Sequence, residues 1–371
     1  MARVVVVGGG VAGSSAAWHL AGRGHEVRLL EQFGPGHDQG SSHGSSRIFR
    51  LAYPDPLYVG LAVRALPLWR ELEAETGVGV LTLTGAVDHG PAAVIDVLAA
   101  ALTAAGQASE AVRPGEAAER WPGLRIDTGA LLHPQAGRLH ADAAVAALQQ
   151  AAAARGAVVE HRTPVRRVSV RRDTRVEVVT ADERALVADA AVLTVGGWAP
   201  KTLAALGVAA PPLRVTQEQP AHFPVASGEP AALSWPSFIH HGGAGLPDGA
   251  GVYGLGSVDG VKVGFHAVGP TVDPDRRDRT IDRAAEARLR DYARSWLPGV
   301  DADRPESTTC LYTLSPDHDF VLDRRGPVVV AGGFSGHGFK FGSVLGELVA
   351  DLVEGGAPQP RFALARPIPQ S

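Results

Sequence analysis

The chain has 371 residues, 45% of them hydrophobic and 20% charged, which is enough to bury a sizeable core and suits two domains better than one. A formal net charge of −4 gives no basic field to hold a polyanion by counterion release, so no nucleic-acid partner is expected. The single cysteine, Cys310, rules out an intramolecular disulfide framework. No run of about twenty apolar residues marks a signal peptide or a membrane span, and a cytoplasmic monomer with no membrane attachment is the expectation.

Residues 3–7 form an apolar β-branched run, 13–23 carry helical spacing and 26–30 (EVRLL) return to a strand pattern, which together read as a βαβ unit. Helices are predicted over about 58–76 and 141–155, the second leading into a strand at 158–162. In VRRVSVRR the arginines near 166–172 alternate with valines, as the solvated face of a strand does. Strand patterns recur at 175–180 and at 190–195. From about 212 to 270 short alternating strands are broken by Gly and Pro, and a charged helix is expected over roughly 274–296. A strand at 327–333 and a glycine-stopped helix from 342 close the order, and no solenoid repeat is present.

In VVVVGGGVAGSSAAWHL, Gly8, Gly10 and Gly13 fall at the G-x-G-x-x-G spacing between a strand and a helix. Gly8 permits the tight turn, Gly10 lets a pyrophosphate approach the backbone, and Gly13 lets the helix pack on the strand. The amides of the helix start, at Val11 and Ala12, face the phosphate charge. Glu31 ends the second strand, 23 residues after Gly8, where it can accept from both ribose hydroxyls and disfavours a 2′-phosphate. Two more segments favour flavin over nicotinamide. AVLTVGGWAP brings Gly197 and Trp198 to a strand end, and AGGFSGHGFKFGS is a second glycine-rich loop opening a helix, whose N-terminus can stabilise the charge of a reduced ring.

With GSSHGSSRIFRLAY at 40–53, STTCLYTLSPDHDFVLD at 307–323 and GGFSGHGFKF at 332–341, the chain resembles the monomeric sarcosine oxidase and N-methyltryptophan oxidase family, motif for motif and in the same order. The resemblance implies an α/β fold: a Rossmann-type FAD-binding domain from 1–80, 138–212 and 305–371, with an inserted α+β substrate domain from 81–137 and 213–304 carrying a large mixed or antiparallel sheet. It implies an FAD-dependent oxidase of a secondary amine or amino acid, with dioxygen as acceptor and an imine and hydrogen peroxide as products.

Arg47 and Arg50 have the spacing that puts two side chains on one side of a helical turn, and two guanidiniums can bracket an anion. By resemblance Arg50 binds the substrate carboxylate and Arg47 lies beside the flavin ring. In GVKVGFHAV, strand alternation puts Lys262, Gly264 and His266 on one face and an apolar set on the other. Lys262 matches the family's oxygen-activating lysine. Lys340, after Gly336, His337 and Gly338 of the second loop, joins Arg50 on the carboxylate. Tyr253, Tyr312 and His266 match residues around the substrate amine, and His43 and Ser46 lie in the loop that faces the flavin. A cysteine at the position of Cys310 forms a thioether to the flavin's dimethylbenzene ring in this family. His37, Asp38 and His43 lack zinc-ligand spacing, so no metal is expected.

Two other functions would use part of the same equipment: a flavin amino-acid dehydrogenase feeding a carrier other than dioxygen, and a non-catalytic dinucleotide-binding module. The segment 234–251 departs from the family pattern, as does a serine where the family's arginine loop has aspartate. The resemblance therefore does not choose the amine.

Overall fold

The computed structural model describes residues 1–171, 174–226, 231–242, 246 and 251–368. Strand β1 (Arg3–Val7), helix α1 (Val11–Gly22) and strand β2 (Glu26–Leu30) form the βαβ unit that the sequence predicts. β1 lies inside a six-stranded sheet in the order Val321–Arg325, Val328–Gly332, Ala190–Leu193, β1, β2, Val158–Glu160. All neighbours in it are parallel except the hairpin of the first two. Strands buried on both faces read as continuous apolar runs, which is the composition of Val4–Val7 and Val328–Ala331. One face carries α1, Pro56–Thr76, Ala141–Ala154 and Gly342–Val353, and the other packs on a three-stranded sheet that includes Val165–Arg171 and Arg175–Thr180.

A second, eight-stranded sheet runs Glu306–Ser307, Ala221–Phe223, Gly260–Phe265, Val252–Ser257, Ser237–His240, Ala86–His89, Ala130–His133, Glu110–Val112. It is antiparallel apart from the parallel pair Ala86–His89 and Ser237–His240, so the expected mixed sheet is present. Val261, Val263 and Phe265 join Val87 and Phe238 in a core beneath helix Arg283–Trp296, and Lys262 takes the opposite face, as the alternation predicts.

Two local readings are corrected. Arg47 and Arg50 do not share a helical turn: Arg47–Phe49 is a strand paired with Gly137–Leu139, and Arg50 follows its end. The partner lies ninety residues away, and the fit requires glycine, since a Cβ on Gly137 would lie 2.1 Å from the Thr82 carbonyl oxygen. The charged helix begins at Arg283 rather than near 274. Asp273, Asp278 and Asp282 each accept from an amide two residues on, which gives the backbone turns in place of helix until Asp282 caps the true start. Among the described residues no helix is long and apolar enough to cross a membrane.

Candidate active site

β1 delivers the chain to Gly8, whose φ of +103° suits glycine and where a Cβ would lie 2.5 Å from the Thr194 carbonyl oxygen. Gly10 precedes α1 and has no side chain to cap it; the Val11 amide donates to Ser42 Oγ at 3.1 Å. Gly13 works inside the fold: a Cβ there would lie 1.9 Å from the Gly8 carbonyl oxygen. Glu31 is 5% exposed and accepts from the Gly9 amide at 2.7 Å and the Phe33 amide at 2.9 Å. Burial alone would raise its pKa, but hydrogen bonds from His37 and these two amides outweigh that, so the carboxylate is ionised with acceptor positions to spare.

From this loop a cavity of about 1580 Å³ runs to the eight-stranded sheet. That exceeds the roughly 300–1,000 Å³ of ordinary ligand pockets and leaves room for a dinucleotide together with a substrate. Its wall includes Gly8, Gly10, Val11, Ala12 and Glu31 at one end, and Ser46, Gly197, Trp198 and Cys310 along it. Arg47, Arg50, Tyr253, Lys262, His266, Tyr312, Gly336, His337, Gly338 and Lys340 complete it. Residues far apart in the chain thus converge on one space. Gly13 and His43 are not on its wall; His43 Nε2 is buried, and burial followed by the charges of Arg47 and Lys262 pushes its pKa down to about 3.

The far end is cationic. The Arg50 guanidinium lies 4.4 Å from the centre of the Tyr53 ring and Lys340 Nζ lies 5.6 Å from the same ring, so one aromatic packs against both basic side chains. Lys340 is 6% exposed and donates to the His337 carbonyl at 2.8 Å; burial, then Arg50, holds its pKa well below that of an ordinary lysine. Arg47 comes from the other end of its strand, donates to the Ser46 and Ser41 carbonyls, and sits 5.7 Å from the Phe339 ring. Lys262 is 7% exposed, and burial followed by Arg47 pushes its pKa down to about 7. His266 and Tyr312 have ring centres 5.6 Å apart, and burial followed by Lys340 lowers His266 to about 4.

Glycine positions make this packing possible. A Cβ on Gly336, at φ +78°, would lie 2.2 Å from the Tyr312 ring, and one on Gly264 would lie 2.6 Å from the Tyr253 hydroxyl. Burial raises the pKa of both tyrosines, which keeps them neutral hydrogen-bonding groups. The Cys310 thiol is also raised by burial, with Arg47 and Lys262 pulling the other way. Tyr53 and Ser42 lie inside the quoted arginine segment, and their roles as support for the cations and for the helix start are missed by motif reading. Arg166 and Arg167 are exposed, as a solvated strand predicts, yet they rim the cavity at its Glu31 end. Of the divergent segment 234–251, residues 243–245 and 247–250 lie outside the described residues.

These residues fit an FAD. The glycine turn leaves a cradle that side chains would fill, α1 presents its positive end, and Ser46 Oγ is buried with no partner among the described residues. The likeness to known proteins agrees. Residues 3–352 match the family of FAD dependent oxidoreductases, DAO. The chain is 38% identical to the monomeric sarcosine oxidase of Streptomyces avermitilis, over 94% of this chain and 92% of that one. It is 31% identical to the N-methyl-L-tryptophan oxidase of Yersinia pestis, over 98% of each. Among solved structures, NikD, described as an unusual amino acid oxidase essential for nikkomycin biosynthesis, superposes with a TM-score of 0.83 at 27% identity, over 98% of this chain and 97% of that one. Glycine cradle, cationic cavity end and sequence likeness together place this chain in the DAO family of FAD-dependent oxidoreductases.

Proposed function

We propose that the protein oxidises a secondary amine or amino acid at the carbon next to nitrogen, with FAD held along the cavity and dioxygen as electron acceptor. The observation that carries this reading is the single cavity joining the dinucleotide cradle to Arg50 and Lys340. FAD would be held by Gly8, Gly10, Glu31 and the start of α1, and would supply the two-electron oxidation that turns the amine into an imine, with dioxygen as final acceptor and hydrogen peroxide as its product. The domain division proposed from the sequence, 1–80, 138–212 and 305–371 against 81–137 and 213–304, would set the cradle with Arg50, Tyr312 and Lys340 on one part and Tyr253, Lys262 and His266 on the other.

Within that scheme Arg50 and Lys340 grip the substrate carboxylate, and Tyr253, Tyr312 and His266 surround its amine. Arg47 and Lys262 disfavour a further positive charge, so the amine binds uncharged, as oxidation requires. Lys262 favours dioxygen over a carrier protein as acceptor, because a buried cation stabilises the superoxide formed by the first electron. A peroxide-coupled screen over N-methyl, cyclic and primary amino acids tests the reading; peroxide from none of them, in protein loaded with FAD, would reject it.

Lys340 gives a pH signature. Its lowered pKa means that the free site holds less charge on this lysine than an exposed one would, and a bound carboxylate restores it. Carboxylate binding above that lowered pKa is therefore expected to take up protons, read by calorimetry in buffers of different ionisation heat. Arg50→Ala is expected to raise KM for carboxylate substrates about a hundredfold, since a charge-assisted pair with a buried anion is lost.

A covalent link from Cys310 to the flavin is part of this proposal; what supports it is that the thiol lies on the cavity wall, where Arg47 and Lys262 offset part of the rise that burial gives its pKa. Yellow colour is expected to stay with wild-type protein after acid precipitation and to pass into the supernatant for Cys310→Ser.

A further inference from the structure

Asp88 lies at the centre of a polar cluster that no motif announces. It is fully buried on strand Ala86–His89, and its Oδ2 accepts from His133 Nε2 at 3.0 Å. Its Oδ1 accepts from His241 Nε2 at 2.7 Å and lies 3.6 Å from the Arg50 guanidinium. Burial would raise the Asp88 pKa, but the hydrogen bonds from His133 and His241 and the charge of Arg50 outweigh it, so the group is a carboxylate. Valine occupies the preceding position and points into the core beneath the sheet, so Asp88 faces the cavity side by strand alternation.

His241 is itself on the cavity wall and half-buried. Its position is fixed twice over. Its amide donates to the His89 carbonyl at 2.8 Å, and Gly90, at φ +141°, lets the His241 carbonyl approach to 2.8 Å of where a Cβ would stand. An ionised carboxylate has no proton to give, so the hydrogen of the shared bond sits on His241 Nε2. With Nε2 donating, Nδ1 is the ring nitrogen left to accept from a ligand. Among the described residues Nδ1 bonds to no side chain.

One oxygen, Asp88 Oδ1, therefore ties together two cavity-lining groups: Arg50, which the proposed function assigns to the substrate carboxylate, and His241. We propose that His241, held by Asp88, is a subsite for the substrate side chain, and that the preferred substrate is an amino acid with a short side chain ending in a hydroxyl or N–H donor. The pair Arg50 and Asp88 leaves no excess of positive charge beside His241, so an anionic side chain is not the match. A hydrocarbon side chain would strand the Nδ1 lone pair away from water, which costs free energy.

The inference rests on the carboxylate role of Arg50, and its test does not require turnover. Simple carboxylates that cannot be oxidised are titrated into the holoenzyme and followed by the shift in the visible flavin spectrum. β-Hydroxypropanoate and butanoate have the same size and differ in one donor. The wild type is expected to bind the hydroxy acid about tenfold more tightly than butanoate, and succinate no better than butanoate. His241→Phe is expected to erase the preference, and His241→Gln, which keeps an acceptor, to retain part of it. Equal binding of the isosteres by the wild type, tighter binding of succinate, or a preference unchanged in His241→Phe would overturn the subsite. If neither isostere perturbed the flavin, the carboxylate role of Arg50 would fall, and the subsite with it.

Discussion

Replacing Lys262 with Met is expected to slow the reaction with dioxygen about a thousandfold while leaving reduction by substrate within a few-fold of the wild-type rate. The unbranched shape of the side chain is kept and only the terminal ammonium is lost, so the change is chiefly one of charge. At about 4 Å and an effective dielectric near 20, a unit charge is worth roughly 4 kcal/mol to a developing superoxide, which corresponds to about three powers of ten in rate. Lys262 can exert this because it is buried and fixed on the strand Gly260–Phe265, with Val261 and Val263 anchoring the opposite face. The sign of the pH dependence follows from the lysine's pKa of about 7, set by burial and then Arg47. The ammonium form is complete below that value and is lost above it, and an anion bound alongside moves the midpoint upward. The wild-type oxygen reaction should thus decline as pH rises through or beyond 7, and Lys262→Met should show no such decline. Stopped-flow mixing of substrate-reduced enzyme with oxygenated buffer measures both; a variant reoxidised at the wild-type rate would remove Lys262 from the oxygen chemistry.

Much of the cofactor end was legible in the sequence because its requirements are local. Gly8, Gly10 and Gly13 are dictated by a turn, an open helix start and a strand contact within six residues, and Glu31 closes the same βαβ unit. The alternation through Lys262 was likewise readable, since a strand with one apolar face needs no knowledge of its neighbours. What was missed depends on pairings between distant segments. Arg47 looked helical because three residues of strand carry almost no periodic signal, and their partner, Gly137–Leu139, supplies the geometry. Asp88, His133 and His241 sit on or beside three strands that meet only through the parallel pairing with Ser237–His240 and the antiparallel one with Ala130–His133. In the sequence they are three polar residues in a stretch without a motif. The late start of the helix at Arg283 shows local chemistry overriding composition, because aspartates spaced through 273–282 prefer to bind their own backbone.

Gly13→Ala is expected to give a protein without bound FAD and with stability lowered by about 3 kcal/mol or more, the upper range for overpacking. The added Cβ would sit 1.9 Å from the Gly8 carbonyl oxygen and 2.4 Å from Thr194 Oγ1. Neither neighbour can yield cheaply. The first is backbone in a turn already at positive φ, and the single hydroxyl hydrogen of Thr194 is shared between the carbonyls of Val7 and Gly8, tying the strand Ala190–Leu193 to the end of β1. Relief therefore requires α1 to lift from the sheet, and that motion carries the helix N-terminus and its amides away from the phosphates they would bind. The natural control is Gly60, inside the helix Pro56–Thr76 with nothing within 4 Å of its would-be Cβ. Gly60→Ala should leave the flavin content unchanged and raise stability by about 1 kcal/mol through helix propensity alone. Visible absorbance of the purified proteins and their thermal midpoints with added FAD separate the two cases. A fully flavinated Gly13→Ala protein melting with the wild type would show that the contact between α1 and β1 does not set the cofactor cradle.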